Sequence, residues 1–296
     1  MAGTGRAQPS GGATDPALGA GWSRVWGLLS GVVAPVTVVT SLLVYFGYVS
    51  ARAFYGYFGV DVDTLGFATR DLVVRASQPL LVPLLGLLLI AALLAWVDVA
   101  ARAWAGRAGP RAVRGALLAV GVAGGVLLAA GVVLVAAFPV LEDWVPYPLV
   151  APLVLGAGAG VLERALSWRP GRSRRPRAER VLLLLVVLVC AFWATATVAD
   201  WSGRGAAQAR ARDLRALPAV VVDTREPLFP GDDTVTEQPL PGAPDGYAFR
   251  YRGLRLLAEG DGNLFLVPEV WSESGSTFVM PLAEVRVKFR FVDDPP

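Results

Sequence analysis

Five apolar runs, residues 25–48, 79–97, 115–138, 145–162 and 181–199, set the terms on which this 296-residue chain can fold, because none of them contains a charged side chain. A helix needs roughly 20 apolar residues at about 1.5 Å each to cross about 30 Å of hydrocarbon, and each run is of that order. A helix of a soluble protein buries one stripe and shows water a charged back. Residues 181–190 read Val-Leu-Leu-Leu-Leu-Val-Val-Leu-Val-Cys on every side, so the polar back is missing. A mean hydropathy of +0.53 over the whole chain points the same way. The expectation is an α-helical membrane bundle of five transmembrane helices.

The charges between the runs predict its orientation. Arg6 and Arg24 precede the first run, Arg102, Arg107, Arg111 and Arg114 separate the second from the third, and Arg164, Arg169, Arg172, Arg174, Arg175, Arg177 and Arg180 separate the fourth from the fifth. The other two loops hold only Arg52, Arg70 and Arg75, and the one without arginine carries Glu142 and Asp143. Positive charge is retained on the cytoplasmic side, which puts the N-terminus and the arginine-rich loops inside and everything after residue 199 outside, in the cell membrane. Trp22, Trp26, Tyr45, Tyr48, Trp96, Trp144, Tyr147, Trp168 and Trp201 stand near run ends, where amphipathic rings suit the interface.

The fourth run is the least helical, with Pro146, Pro148, Pro152, Gly156, Gly158 and Gly160 in a short stretch. A re-entrant course would leave the seven-arginine loop outside, against the charge bias, so a full crossing is expected. Residues 1–24 are poor in apolar side chains and read as a disordered cytoplasmic tail, not a cleaved signal, because a full-length span follows them. Small residues four apart, Gly121 with Gly125 and Gly156 with Gly160, mark helix faces that pack closely, within this bundle or in a homo-oligomer.

Composition changes after the last run. Residues 200–218 read as a linker or short helix bearing Arg204, Arg210, Arg212 and Arg215, and residues 219–296 as a small β-rich extracytoplasmic domain. Residues 219–223, 247–257, 263–267, 277–281 and 285–291 are the strand candidates, and Glu259-Gly-Asp-Gly262 predicts a hairpin turn. Alternation in the last strand puts Val285, Val287, Phe289 and Phe291 toward a core and Arg286, Lys288 and Arg290 toward water. About five strands make a small sheet or a partly open barrel. From residue 200 onward fifteen acidic residues face eleven basic ones, so the basic pI near 9.3 arises in the cytoplasmic loops. There it serves topology and attraction to lipid headgroups, and nucleic-acid binding has no support.

Much chemistry is excluded. The chain has no histidine and a single cysteine, Cys190, which removes Ser-His-Asp and Cys-His catalysis, imidazole and tetrathiolate metal sites, and any intrachain disulfide. Gly156-Ala-Gly-Ala-Gly160 lacks the strand, soluble helix and downstream acid of a dinucleotide loop. No catalytic residue, metal or cofactor is assigned. The best candidate for binding is the first outer loop: Asp61 and Asp63, two apart, share a side if the segment is extended, with Arg70, Asp71 and Arg75 following. The same residues also read as an interfacial turn, with Asp61 or Asp63 capping and Asp71 paired to Arg75.

Residues 57–71, Tyr-Phe-Gly-Val-Asp-Val-Asp-Thr-Leu-Gly-Phe-Ala-Thr-Arg-Asp, together with Tyr251-Arg-Gly-Leu-Arg-Leu-Leu257 and Leu264-Phe-Leu-Val-Pro268, resemble a family of uncharacterised multipass membrane proteins from actinobacteria. The resemblance implies a membrane location and brings no activity, cofactor or catalytic residue. Three functions are therefore weighed. The first is a non-enzymatic surface protein whose outer domain binds, senses or scaffolds, with the lipid bilayer and other membrane or envelope proteins as partners. The second is a transporter or channel component, against which stands the placing of Asp98 and Glu163 at run ends, away from the apolar interior. The third is a lipid-linked glycosyl or phosphoryl transferase using Asp61 and Asp63.

Overall fold

The computed structural model describes residues 16–141, 143–168, 177–242, 246–272 and 275–290, with side chains described from Val36 onward except at 73, 75–84, 87 and 177. Residues 1–15, Glu142 and most of the loop holding Arg169, Arg172, Arg174 and Arg175 lie outside the described residues. Six helices, α1 (Pro16–Tyr57), α2 (Thr69–Ala105), α3 (Pro110–Ala136), α4 (Phe138–Leu141), α5 (Tyr147–Ser167) and α6 (Arg177–Arg212), precede six strands. All but the short α4 contain a segment long and apolar enough to cross a membrane.

The helices outrun the apolar stretches that predict them. Helix α1 begins at Pro16, within the stretch read as tail, and α6 runs through Ala199 to Arg212, so most of the expected linker is its continuation. With 36 residues, α6 is about 54 Å long at 1.5 Å per residue, well beyond a bilayer core. The helix continues past 199 and packs on α1 at Gly203, where an added Cβ would strike the Ser50 carbonyl.

The helix ends sort by charge. Asp98 near the end of α2 pairs with Arg102 at 2.6 Å and with Arg164 of α5 at 3.2 Å, and Glu163 of α5 pairs with Arg180 at the start of α6 at 3.1 Å. At the opposite end, Tyr147 opens α5 and its hydroxyl donates to the Leu134 carbonyl near the end of α3. Helix α5 therefore runs the whole distance between the arginine-bearing connections and the end on which the strands sit.

Glycine sets the closest packing of α3 on α5. A Cβ added at Gly124 would come within 2.7 Å of the Leu162 backbone, one at Gly131 within 2.5 Å of Leu155, and one at Gly158 would strike the Leu128 amide. Gly121 is buried on α3, whereas the space beside Gly125 is open to 4 Å. On α5, Gly156 and Gly160 turn toward α6, the first against Cys190 and the second near Val187.

The C-terminal strands are β1 (Ala219–Thr224), β2 (Thr236–Pro239), β3 (Phe249–Gly260), β4 (Asn263–Pro268), β5 (Phe278–Pro281) and β6 (Arg286–Arg290). They form one antiparallel sheet in the order β5-β4-β3-β1-β6, with β2 beside the first half of β3. Strand β2, in the proline-rich stretch, goes beyond the five expected. Asp261 and Gly262 turn the β3–β4 hairpin with φ of 48° and 72°, the pair of left-handed residues a two-residue turn needs.

One face of the sheet closes over its own core of Val220, Val222, Val235, Tyr251, Leu254, Leu264, Leu266 and Met280. The other face is divided. Phe265 and Val267 of β4, with Leu257 of β3, pack on the helix ends, which is why β4 is buried on both faces where simple alternation predicts one. Further along that face, fully buried Asp223 gathers Arg250 and Arg286, with Lys288 at 3.8 Å. The expectation that Arg286 faces water is corrected: its guanidinium lies 2.9 Å from that carboxylate and over the Tyr247 ring. Phe289, expected in the core, is 58% exposed on the last described strand, and Phe291 lies outside the described residues.

Candidate functional site

The loop between α1 and α2 is a structural joint. Val62–Leu65 forms a 3-10 turn, not an extended segment, with Asp61 as its cap: the Asp63 amide donates to the Asp61 carboxylate at 3.1 Å. Asp63 accepts from the Tyr48 hydroxyl at 3.2 Å, and Asp71 accepts from the Ala68 amide at 3.2 Å, closing the first turn of α2. Arg70 lies 3.6 Å from Asp71 and is largely exposed, and the side chain of Arg75 lies outside the described residues. The two aspartates are thus held in separate local hydrogen bonds. Among the described residues no three acidic or cysteine side chains gather as a metal site would require.

The apolar residues of that loop do something the spacing did not show. Tyr55, Val60, Val62 and Leu65 bury together with Ala51 and Phe265, so the loop lies between the helix end and the sheet. Gly260 of β3 is needed there, because a Cβ would strike the Leu65 carbonyl. A second cluster joins Phe58 to Ala207, Ala211, Leu214, Leu217 and Val267, fixing the end of α6 to β4. Thr277, ahead of β5, donates its hydroxyl to the Phe58 carbonyl at 2.6 Å.

Beside this joint opens a cavity of about 790 Å³, lined by Tyr57, Gln208, Arg212, Arg215, Glu269 and Trp271 among others. A neighbouring cleft of about 440 Å³ shares Tyr57, Leu214, Val270 and Trp271 with it and reaches Ser272, Ser276 and Thr277. The shared wall is a stacked pair, Tyr57 and Trp271, with ring centroids 5.1 Å apart and planes at 25°. Trp271 remains 43% exposed. A flat aromatic surface left open to solvent beside charged groups is the usual composition of a recognition surface, where large rings supply contact area at low entropic cost.

Charge around the groove is mixed and fixed in place. Arg255 donates to the Arg215 and Leu217 carbonyls, both at 3.1 Å, and to the Glu269 carboxylate at 3.1 Å, tying β3 to the turn after α6. Glu269 also faces Arg215 at 4.0 Å. The Ser272 hydroxyl oxygen is buried with no hydrogen-bond partner among the described residues, so one polar atom in the smaller cleft is unsatisfied. Tyr57, Arg215 and Arg255 lie in segments that the sequence singles out, though for other reasons. Trp271, Glu269 and Arg255 carry no spacing signal, since they converge through the sheet register.

Comparison of the chain with known families, with characterised proteins and with solved structures gives no match. The groove therefore has to be read from its own chemistry.

Proposed function

We propose that this chain is a multipass protein of the cell membrane, with its N-terminus and arginine-rich loops in the cytoplasm and its sheet outside, acting as a non-enzymatic binding, sensing or scaffolding protein. The observation that carries the reading is the joint itself. A domain merely tethered to a membrane needs a linker, whereas this sheet shares two buried clusters with α1, α6 and the loop between α1 and α2. Binding at the sheet is thereby coupled mechanically to the helices. The groove walled by Tyr57 and Trp271 is the binding surface, and fixed groups of both signs suit a polar segment of an envelope partner.

The separation of ends supports the orientation. Arginine-bearing connections lie at one end of the helices and the sheet at the other, the arrangement that retention of positive charge inside requires. Transport draws no support from the spans, because Asp98 and Glu163 are committed to ion pairs at the arginine end.

The test uses the full-length chain in its native membrane. A photo-crosslinker at position 276 should capture a partner from the wild type, and Trp271→Ala with Arg215→Glu should reduce capture about tenfold while the amount and thermal stability of the protein stay unchanged. Undiminished capture by that double variant would rule out the groove as the binding surface.

A further inference from the structure

A second cavity lies at the other end of the molecule, among α2, α3 and α5. It holds about 250 Å³ between Leu94, Val97 and Trp104 of α2 and Ala116, Leu117 and Val120 of α3, and its base is formed by Arg164, Ala165 and Trp168 of α5. The walls are apolar almost throughout. At one end Asp98, Arg102 and Arg164 gather, and the Arg102 guanidinium lies 5.8 Å from the Trp168 ring centre. Helix α3, which lines the cavity from Val113, starts at Gly109–Pro110 with no side chain capping its first amides.

These parts match one ligand shape. In hydrocarbon an apolar crevice between helices takes an apolar chain, since there is no water there to fill it. At the rim, one carboxylate faces two guanidiniums. Each guanidinium presents five N–H donors against about four lone-pair sites on the carboxylate, so donors and net positive charge are left over for a further anion. Arg107 on the adjoining connection and Arg111 and Arg114 in the first turns of α3 add to that field, with no acidic residue between 99 and 141 to offset them.

We propose that this crevice binds an anionic phospholipid of the inner leaflet, its acyl chain between α2 and α3 and its phosphate at Arg102 and Arg164. The assignment rests on the membrane reading above. Bound there, the lipid fills the space between α2 and α3 and makes the seating of α2 depend on headgroup charge.

The experiment reconstitutes full-length protein in nanodiscs of phosphatidylcholine mixed equally with phosphatidylglycerol, extracts it gently and counts retained lipids by native mass spectrometry. Wild type should retain phosphatidylglycerol over phosphatidylcholine by roughly ten- to thirtyfold, the ratio that two arginine contacts give. Arg102→Gln with Arg164→Gln should bring the two lipids to near parity. Val120→Trp, which fills the crevice and leaves the arginines intact, should abolish retention of both and covers the case in which the arginine variant does not fold. Inorganic phosphate should not displace the lipid, because it lacks the acyl chain. Equal retention of the two lipids by wild type, retention unchanged in Val120→Trp, or displacement by phosphate overturns the assignment. Failure of the membrane reading would appear separately, as a chain that does not enter nanodiscs.

Discussion

Thr197 of α6 donates its hydroxyl to the Pro148 carbonyl of α5 at 3.1 Å. That carbonyl lies four residues before Pro152, which sits inside the helix and has no N–H to give it. A proline-bearing span is tolerable in hydrocarbon when a neighbouring hydroxyl takes over the freed acceptor. Thr197, also 3.1 Å from the Trp193 carbonyl, does so from the adjacent helix. This is how the least helical of the five runs stays helical through Pro152.

Replacing that hydroxyl should loosen α5 from α6. Thr197→Val keeps the shape and removes the donor, and should destabilise the bundle by about 1 kcal/mol, in the range found for hydrogen bonds between membrane helices. Thermal unfolding in detergent measures it, and Thr197→Ser should restore most of the loss.

The α3–α5 contact makes a sharper contrast. Gly131→Ala places a methyl group within 2.5 Å of Leu155 and should destabilise by roughly 1–3 kcal/mol, whereas Gly125→Ala meets nothing within 4 Å and should stay within about 0.5 kcal/mol of wild type. Equal effects of the two in the same unfolding assay would refute the packing face described here.

In the sheet, Gly253 has φ of 85°, and an added Cβ would strike the Thr234 carbonyl. Gly253→Ala combines left-handed strain with a backbone clash and should cost about 2 kcal/mol or more, read from proteolysis of the sheet domain. Gly231→Ala has only the strain, with open space around it, and should cost less.

Asp223 predicts a pH dependence. Hydrogen bonds from Arg250 hold its carboxyl at about 2, below the ordinary 3.8, against the opposing effect of burial and with help from Arg286 and Lys288. A carboxyl lowered on folding contributes stability that is complete above the ordinary value and disappears as pH falls through the lowered one. The sheet domain should therefore lose stability between about pH 5 and about pH 2, and Asp223→Asn should be less stable at neutral pH and flatter across that window. An unchanged acid limb in Asp223→Asn would remove Asp223 as its source.

Orientation is open to direct labelling. With Cys190 replaced by alanine, Glu284→Cys should react with a membrane-impermeant maleimide on intact cells, and Arg107→Cys only after permeabilisation. Both positions are exposed. The reverse pattern would invert the proposed topology.

The helices were legible because length and the absence of charge are one-dimensional properties, visible along residues 181–199 without knowing any neighbour. Their true ends were not: α6 continues past Ala199 because it packs on α1 at Gly203 and on the sheet at Ala207 and Ala211, contacts that no local pattern announces. The hairpin at Asp261–Gly262 was readable from turn chemistry, and β2 was not, since four exposed residues before a proline-rich stretch carry no alternation. In the loop between α1 and α2, the capping reading matches the hydrogen bond at Asp61 and the extended reading does not, while Asp71, expected to pair with Arg75, accepts from the Ala68 amide and the Arg75 side chain lies outside the described residues. The groove was out of reach, because Tyr57 and Trp271 are more than two hundred residues apart.

By itself the sequence determined how much of the chain suits hydrocarbon, which ends carry the arginines, and which catalytic chemistries are impossible without histidine. These follow from composition summed over a segment. Only the tertiary structure decided that the exposed ends of α1 and α6 share a core with the sheet, that Arg286 serves a buried carboxylate and that an aromatic pair stays open beside them. Each of those depends on which residues from distant segments come within a few ångströms, and that is set by strand register and helix packing.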